Sequence, residues 1–266
     1  MFDNLDWGWD NARAILGVGV IFLIAWLVSE NRRRLPWKLI LGATAMQIAF
    51  ALLLFGVPWV RDGVASANVV VTSLQDATRA GTNFVFGYIG DNTQFAENVT
   101  RTPGDMPPPL FFFQILPLII VVAALSAMLW HWRVLRWITR AFAFVFQRTM
   151  GIGGATSLAV SANLFMGMTE APVLVKPYMP RMTRAEVFIV MTTGFATIAG
   201  SVLIIYVTFL EPVMANPLSQ LLVASLMAAP AAVAIALTIV PETTSSAERV
   251  GEPDFNYQST MDAFST

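Results

Sequence analysis

The sequence predicts an all-α membrane protein, and three observations carry that prediction. Of 266 residues, 56% are hydrophobic and only 12% are charged, where a soluble domain carries about 25% charged residues. Mean hydropathy is +0.64. Apolar runs near the length that crosses a bilayer as a helix, about 20 residues, recur along the chain.

Composition also narrows the function. A net charge of -1 gives no reason to expect a nucleic-acid partner. The absence of cysteine excludes disulfides, thiolate chemistry and zinc sites built on sulfur. The single histidine, His131, leaves little room for a histidine-based metal site or catalytic triad. The opening "MFDNLDWGWDNAR" is acidic and aromatic, without the basic start of a cleaved signal peptide, so the first apolar segment is expected to be retained.

Five spans follow in order. Residues 14–29, "AILGVGVIFLIAWLVS", are short and nearly uninterrupted. Residues 36–60 are flanked by Trp37 and Trp59, which suit headgroup depth. Residues 110–130 contain Pro117, expected to kink the helix. Residues 187–210 and 219–240 complete the set. Two further segments are amphipathic and are expected to lie at the interface. Residues 68–86 gather Gln75, Asp76 and Arg79 on one side. Residues 131–148 place Arg133, Arg136 and Arg140 at i, i+3 and i+7, with Trp132, Phe142, Phe144 and Phe146 making much of the rest apolar. Between 87 and 109 a polar loop ends in prolines, which keep a helix from running into the third span.

Charge sets the orientation. The loop "ENRRRLPWK" holds four basic residues, as does 131–148 without an acid, and Lys176, Arg181 and Arg184 precede the fourth span. The opposite side carries Asp3, Asp6, Asp10 and Glu211. The positive-inside rule then puts the N-terminus outside, in the periplasm for a bacterial inner-membrane protein, and 30–38, 131–148 and 176–186 inside. Both ends of residues 149–180 therefore lie on the cytoplasmic side. The segment is predicted to enter the bilayer and return as a re-entrant hairpin.

Within it, "SANLFMGMTEAPVLVKPYMP" spans residues 161–180. Gly167 suits a tight turn, and Pro172 suits the first turn of the returning helix. Thr169 and Glu170 fall at the tip, near the membrane midplane. A charge there costs about 2.5–3.5 kcal/mol on insertion scales and calls for a partner. A plainer reading makes Glu170 an N-terminal charge favoured by the helix dipole. Non-helical backbone at membrane depth must be buried in protein or line a water-filled cavity, and transporters place their sites on such broken helices. A carboxylate suits a solute with N–H or O–H donors, and Asn163 supplies a hard oxygen of the kind Na⁺ takes. In the fourth span, Thr183 and Glu186 form a T-x-x-E capping box that starts the helix at Arg184. Gly194, Ala196, Ala199 and Gly200 cluster around Thr197, which suits close helix packing and equally an unwound turn whose carbonyls face an ion.

At these residues the sequence resembles the concentrative nucleoside transporter family. The stretch "GGATSLAVSANLFMGMTEAPVLVKPYMPRMTRAEVFIVMTTGFATIAGSV" carries the likeness to the family's G-Q-T-E-A-P hairpin, its M-T-R-x-E motif and its A-S-I-A-G-S-V segment. The resemblance implies scaffold spans and interfacial helices over 1–148, then a first transport repeat over 149–240. That repeat combines a re-entrant hairpin with a broken helix, one half of an inverted pair. Residues 241–266 would begin the segment leading to a second repeat, so the chain reads as roughly the N-terminal two thirds of such a protein. The second repeat carries an Asn-Glu-Phe motif that binds ribose, and 241–266 contain nothing that could supply it.

By the same resemblance, Met168, Thr169, Glu170 and Val202 would face the nucleobase. Asn163, the hydroxyl of Thr197 and the backbone carbonyls of Met166 and Ile198 would hold the cation. Met168 stands where the family has glutamine, and a thioether offers none of that amide's donors. Thr197 replaces a serine and keeps its oxygen. The implied function is nucleoside symport with Na⁺ as coupling ion, without an organic cofactor and without enzymatic activity, in a homotrimer. The alternatives are proton-coupled transport of a related solute and a membrane module that binds a nucleoside without moving it.

Overall fold

In the computed structural model, residues 9–33, 36–90, 111–210, 213–214 and 216–242 are described, and every regular element among them is helical. The acidic start and residues 243–266 lie outside that set, as does the loop 91–110.

Helices α1 (Trp9–Val28) and α2 (Trp37–Gly56) have 20 residues each, about 30 Å at the helical rise. The sequence predicts a second span over 36–60, yet α2 stops at Gly56. Val57 is extended, at φ -100° and ψ 111°, and Pro58 opens α3 (Pro58–Phe86). Proline disfavours a helical conformation in the residue before it, while its missing N–H costs nothing in a first turn. The amphipathic helix expected over 68–86 is therefore longer, at 29 residues, and Trp59 belongs to its first turn.

Pro117 also differs from expectation. A π-helical turn at Phe111–Ile115 leads into α4 (Leu116–His131), so Pro117 occupies a first turn and does not kink a mid-span. The wider turn accommodates a ring that would otherwise press on the carbonyl four residues back. Arg133 then adopts a left-handed backbone, φ 64°, and the chain bends by 76° into α5 (Val134–Met150). The arginine-bearing segment is thus an element of its own, and Arg136 lies over the Trp130 ring at 5.4 Å.

Helix α6 (Gly154–Asn163) is followed by a turn and by the short α7 (Ala171–Val175), with Pro172 in its first turn as predicted. Then come α8 (Arg184–Ala196), α9 (Gly200–Leu210) and α10 (Pro217–Ile239). Among the described residues, two stretches, Trp37–Leu54 and Pro217–Ile239, are long and apolar enough to cross a membrane unaided, and α4 with α5 would add a third as a bent span. The other predicted spans fall short for identifiable reasons. In α1 the apolar part is Leu16–Val28, and 187–210 is interrupted at Thr197.

Helix α10 is the centre of the packing. Its Ala229, Val233, Ala236 and Leu237 share a buried cluster with Ala43 and Met46 of α2, Phe146 of α5, Val160 of α6 and Ile189 of α8. Small side chains let α2 and α8 approach it closely. Pro230, inside α10, removes an N–H from the ladder and loosens the preceding turn. Gln47 Nε2 of α2 donates to the Met227 carbonyl there, at 3.3 Å.

The predicted capping box is present in full. The Glu186 N–H donates to Thr183 Oγ1 at 3.2 Å, and the Thr183 N–H donates to Glu186 Oε2 at 2.9 Å. Thr183→Ala is expected to lower stability by about 1 kcal/mol, measured as a drop in the thermal unfolding midpoint of the detergent-solubilised protein.

Candidate functional site

The end of α6, the turn after it and the gap between α8 and α9 meet at one place. Asn163 is the last residue of α6 and is 1% exposed. Its Nδ2 donates to the Val190 carbonyl at 3.3 Å and to Thr193 Oγ1 at 3.1 Å, both on α8. Its Oδ1 is buried and has no hydrogen-bond partner. A buried polar oxygen left unpaired costs on the order of 1–3 kcal/mol, so such an atom asks for a donor or a cation.

Thr197 ends α8 with an extended backbone, φ -99° and ψ 158°. The sequence offered this interruption as one reading of its small-residue cluster, and the helix does stop there. Thr197 Oγ1 lies 3.0 Å from the Asn163 carbonyl and 2.8 Å from the Thr193 carbonyl. A hydroxyl has one hydrogen and two lone pairs, so oxygen capacity remains after either bond. Beyond it, the Ile198 N–H donates to Ser225 Oγ of α10 at 3.3 Å. The Gly200 N–H donates across to the Phe165 carbonyl in the hairpin turn at 3.1 Å. Each hydrogen bond replaces one that the interrupted helix lost.

This close approach decides where glycine is needed. A Cβ on Gly200 would lie 3.1 Å from the Phe165 carbonyl oxygen, and one on Gly194 would lie 3.0 Å from Met168 Cβ. Gly167, singled out from the sequence as the turn residue, has no left-handed backbone. A Cβ there would make only ordinary contacts, 3.8 Å to Thr169 Oγ1 and 3.9 Å to Ala199 Cβ. Contact between hairpin and helix, more than chain reversal, sets the demand for small residues.

At the tip, Met168, Thr169 and Glu170 are all exposed, Met168 at 52%. Glu170 precedes α7, and its N–H donates to the Gly167 carbonyl at 3.0 Å. Its carboxylate forms no hydrogen bond or ion pair with any described residue. Val202 is 37% exposed in the first turn of α9. The Met166 N–H is spent on the Ala162 carbonyl at 2.8 Å. Of the residues nominated as cation ligands, Asn163 and Thr197 are joined by a hydrogen bond; of those nominated for the base, Met168, Thr169 and Glu170 share the exposed tip. A cleft of about 720 Å³ lies elsewhere. It is lined by Val28, Val187, Phe188, Met191 and Ile239 and includes the Glu30–Arg184 ion pair at 2.6 Å.

Two residues of the site were missed in the sequence, Thr193 and Ser225. The signal for Thr193 was its i, i+4 spacing to Thr197, which puts both hydroxyls on one face of the helix. Ser225 had none, because its partner is 27 residues away.

The family model described as the N-terminus of the Na⁺-dependent nucleoside transporter matches residues 16–89. A second, described as nucleoside recognition, matches residues 112–213. An uncharacterized transporter of Haemophilus influenzae is 34% identical over 86% of this chain and 51% of its own length. Sodium/nucleoside cotransporter 2 of Rattus norvegicus is 36% identical over 88% of this chain and 36% of its own. Nucleoside permease NupC of Helicobacter pylori is 32% identical, over 86% and 52%. Among solved structures, CNTnw in an inward-facing substrate-bound state superposes with a TM-score of 0.74 at 33% identity, over 86% of this chain and 53% of that one. The chain spans about half the length of the bacterial relatives it matches.

Proposed function

We propose, from the premise that this chain belongs to the concentrative nucleoside transporter family, that it contributes the cation site and the base-facing edge of a nucleoside symporter in the bacterial inner membrane. Its relatives are membrane transporters, not enzymes, and nucleoside transport is the activity their names carry. Coupling to Na⁺ is the finer step. The observation that carries it is the buried, unpartnered Asn163 Oδ1 on a residue whose backbone carbonyl is bonded to the Thr197 hydroxyl, where a helix is interrupted. These are neutral, hard oxygens, which suit Na⁺. The carbonyls of Met166 and Ile198 complete the ligand set in this reading.

Thr169 and Glu170 then hold the base from the exposed tip, with Val202 as an apolar neighbour and Met168 shaping base preference. The length of α6 supports a re-entrant arrangement. Ten residues reach about 15 Å, half the hydrocarbon core of a bilayer. Residues 1–148 act as scaffold, 149–240 as the first transport repeat and 241–266 as the lead into a second repeat that supplies ribose contacts. The N-terminus faces the periplasm and three copies assemble around the fixed scaffold, with the hairpin unit moving between the two faces.

The test is uptake of a panel of labelled nucleosides by the full-length protein in proteoliposomes. An inward Na⁺ gradient is expected to raise uptake of at least one nucleoside roughly tenfold over choline, as a coupling of about 1.4 kcal/mol would give. Uptake driven by a pH gradient in sodium-free buffer would replace Na⁺ by H⁺. Saturable binding without uptake under either gradient would favour the non-transporting module.

A further inference from the structure

Asn163 offers a cation an oxygen only if its amide is held one way round. An asparagine side chain has an oxygen face and a nitrogen face of nearly equal size, and its neighbours decide which points where. Two neighbours on α8 make that decision. The Val190 carbonyl is an acceptor and nothing else. Thr193 Oγ1 sits 2.8 Å from the Ile189 carbonyl and 3.1 Å from the Val190 carbonyl, so its one hydrogen is committed to the helix backbone. What it presents to Asn163 is a lone pair. With acceptors at both 3.1 and 3.3 Å, the Asn163 NH₂ must face α8, because the reverse orientation would set oxygen against oxygen. The free atom is then Oδ1.

We infer that Thr193 is a positioning residue for the cation site: its hydroxyl fixes the Asn163 amide so that the carbonyl oxygen, and not the nitrogen, is left for the ion. The inference rests on the cation reading given above. Thr193 is fully buried, at 0% exposure, so no solute reaches it and its hydroxyl acts through Asn163. Its own carbonyl also receives the Thr197 N–H at 3.1 Å, so one residue ties both side-chain ligands to α8. Without the hydroxyl, only the Val190 carbonyl holds the amide, and rotation places NH₂ toward the ion for part of the time.

The experiment compares Thr193→Val, which keeps the shape and loses the hydroxyl, with Thr193→Ser, which keeps the hydroxyl, in the full-length transporter in proteoliposomes. For Thr193→Val the Na⁺ concentration giving half-maximal uptake is expected to rise roughly 10-fold, the lower end of what supporting residues around metal ligands contribute. Nucleoside KM at saturating Na⁺ is expected to stay at the parental value, and Thr193→Ser is expected to restore parental Na⁺ dependence. A general packing defect would not separate the two constants in this way. Should Thr193→Val be lost from the membrane fraction, Thr193→Ala removes the same hydroxyl and is read by the same two constants. Parental Na⁺ dependence in the hydroxyl-free variant overturns the inference if Asn163→Leu, measured alongside, loses that dependence. If Asn163→Leu also keeps it, the cation reading itself fails.

Discussion

Glu170→Gln is expected to lower nucleoside uptake by about 10- to 100-fold while leaving the protein as stable as the parent. The size follows from exchanging a charged acceptor for a neutral one. Hydrogen bonds to ionised groups contribute about 1.5–3 kcal/mol, and every 1.4 kcal/mol is a factor of ten in binding. The absence of a folding defect follows from the structure. The Glu170 side chain is exposed and bonded to no described residue, and substitutions at such positions shift stability by about 0.5 kcal/mol or less. Uptake in proteoliposomes at fixed Na⁺, corrected for protein incorporated, reads the first quantity, and the thermal midpoint in detergent reads the second. Parental uptake by the glutamine variant would remove Glu170 from the site and restore its plainer reading as a helix-terminal charge.

Asn163→Leu is the second large effect, and here function and stability separate further. Leucine fills a similar volume without Oδ1, the oxygen proposed for the cation, so half-maximal uptake is expected to require at least about 10-fold more Na⁺. Stability in sodium-free solution moves little, because two contributions offset. The Val190 carbonyl and Thr193 Oγ1 lose a donor, but a buried, unpaired oxygen disappears as well, and each effect is about 1–3 kcal/mol. The sharper readout is linkage. A ligand that binds only the folded state adds RT ln(1 + [L]/Kd) to stability, so the Na⁺ concentration at which the melting midpoint begins to rise should be at least about 10-fold higher for Asn163→Leu than for the parent. A variant that gains stability over the parental range of Na⁺ concentration would place the ion elsewhere.

Much of the local structure around the candidate site was legible in the sequence because its signals are local. Thr183 and Glu186 are three residues apart and cap the helix between them. Pro172 belongs in a first turn for reasons contained in its own ring. The interruption at Thr197 was foreshadowed by the density of small residues around it. The boundary of α2 was misjudged because hydropathy continues through Val57, while the stop is imposed by Pro58 acting on its neighbour. Gly167 and the pair Gly194 and Gly200 exchanged importance for a different reason. Whether a glycine is needed for close approach depends on what packs against it, and Phe165 and Met168 arrive from another element. The orientation of Asn163 lay furthest out of reach, since it depends on Val190 and Thr193 at the opposite end of a long sequence separation.

The gap between α8 and α9 carries one more consequence. Its amide donors at Thr197, Ile198 and Gly200 are each taken up, by the Thr193 carbonyl, by Ser225 on α10 and by the Phe165 carbonyl in the turn. A run of backbone tethered on three sides is a fixed elbow, not a swivel. If the hairpin moves as proposed, the elbow travels with it as one piece, and the bending falls to the outer ends of these helices.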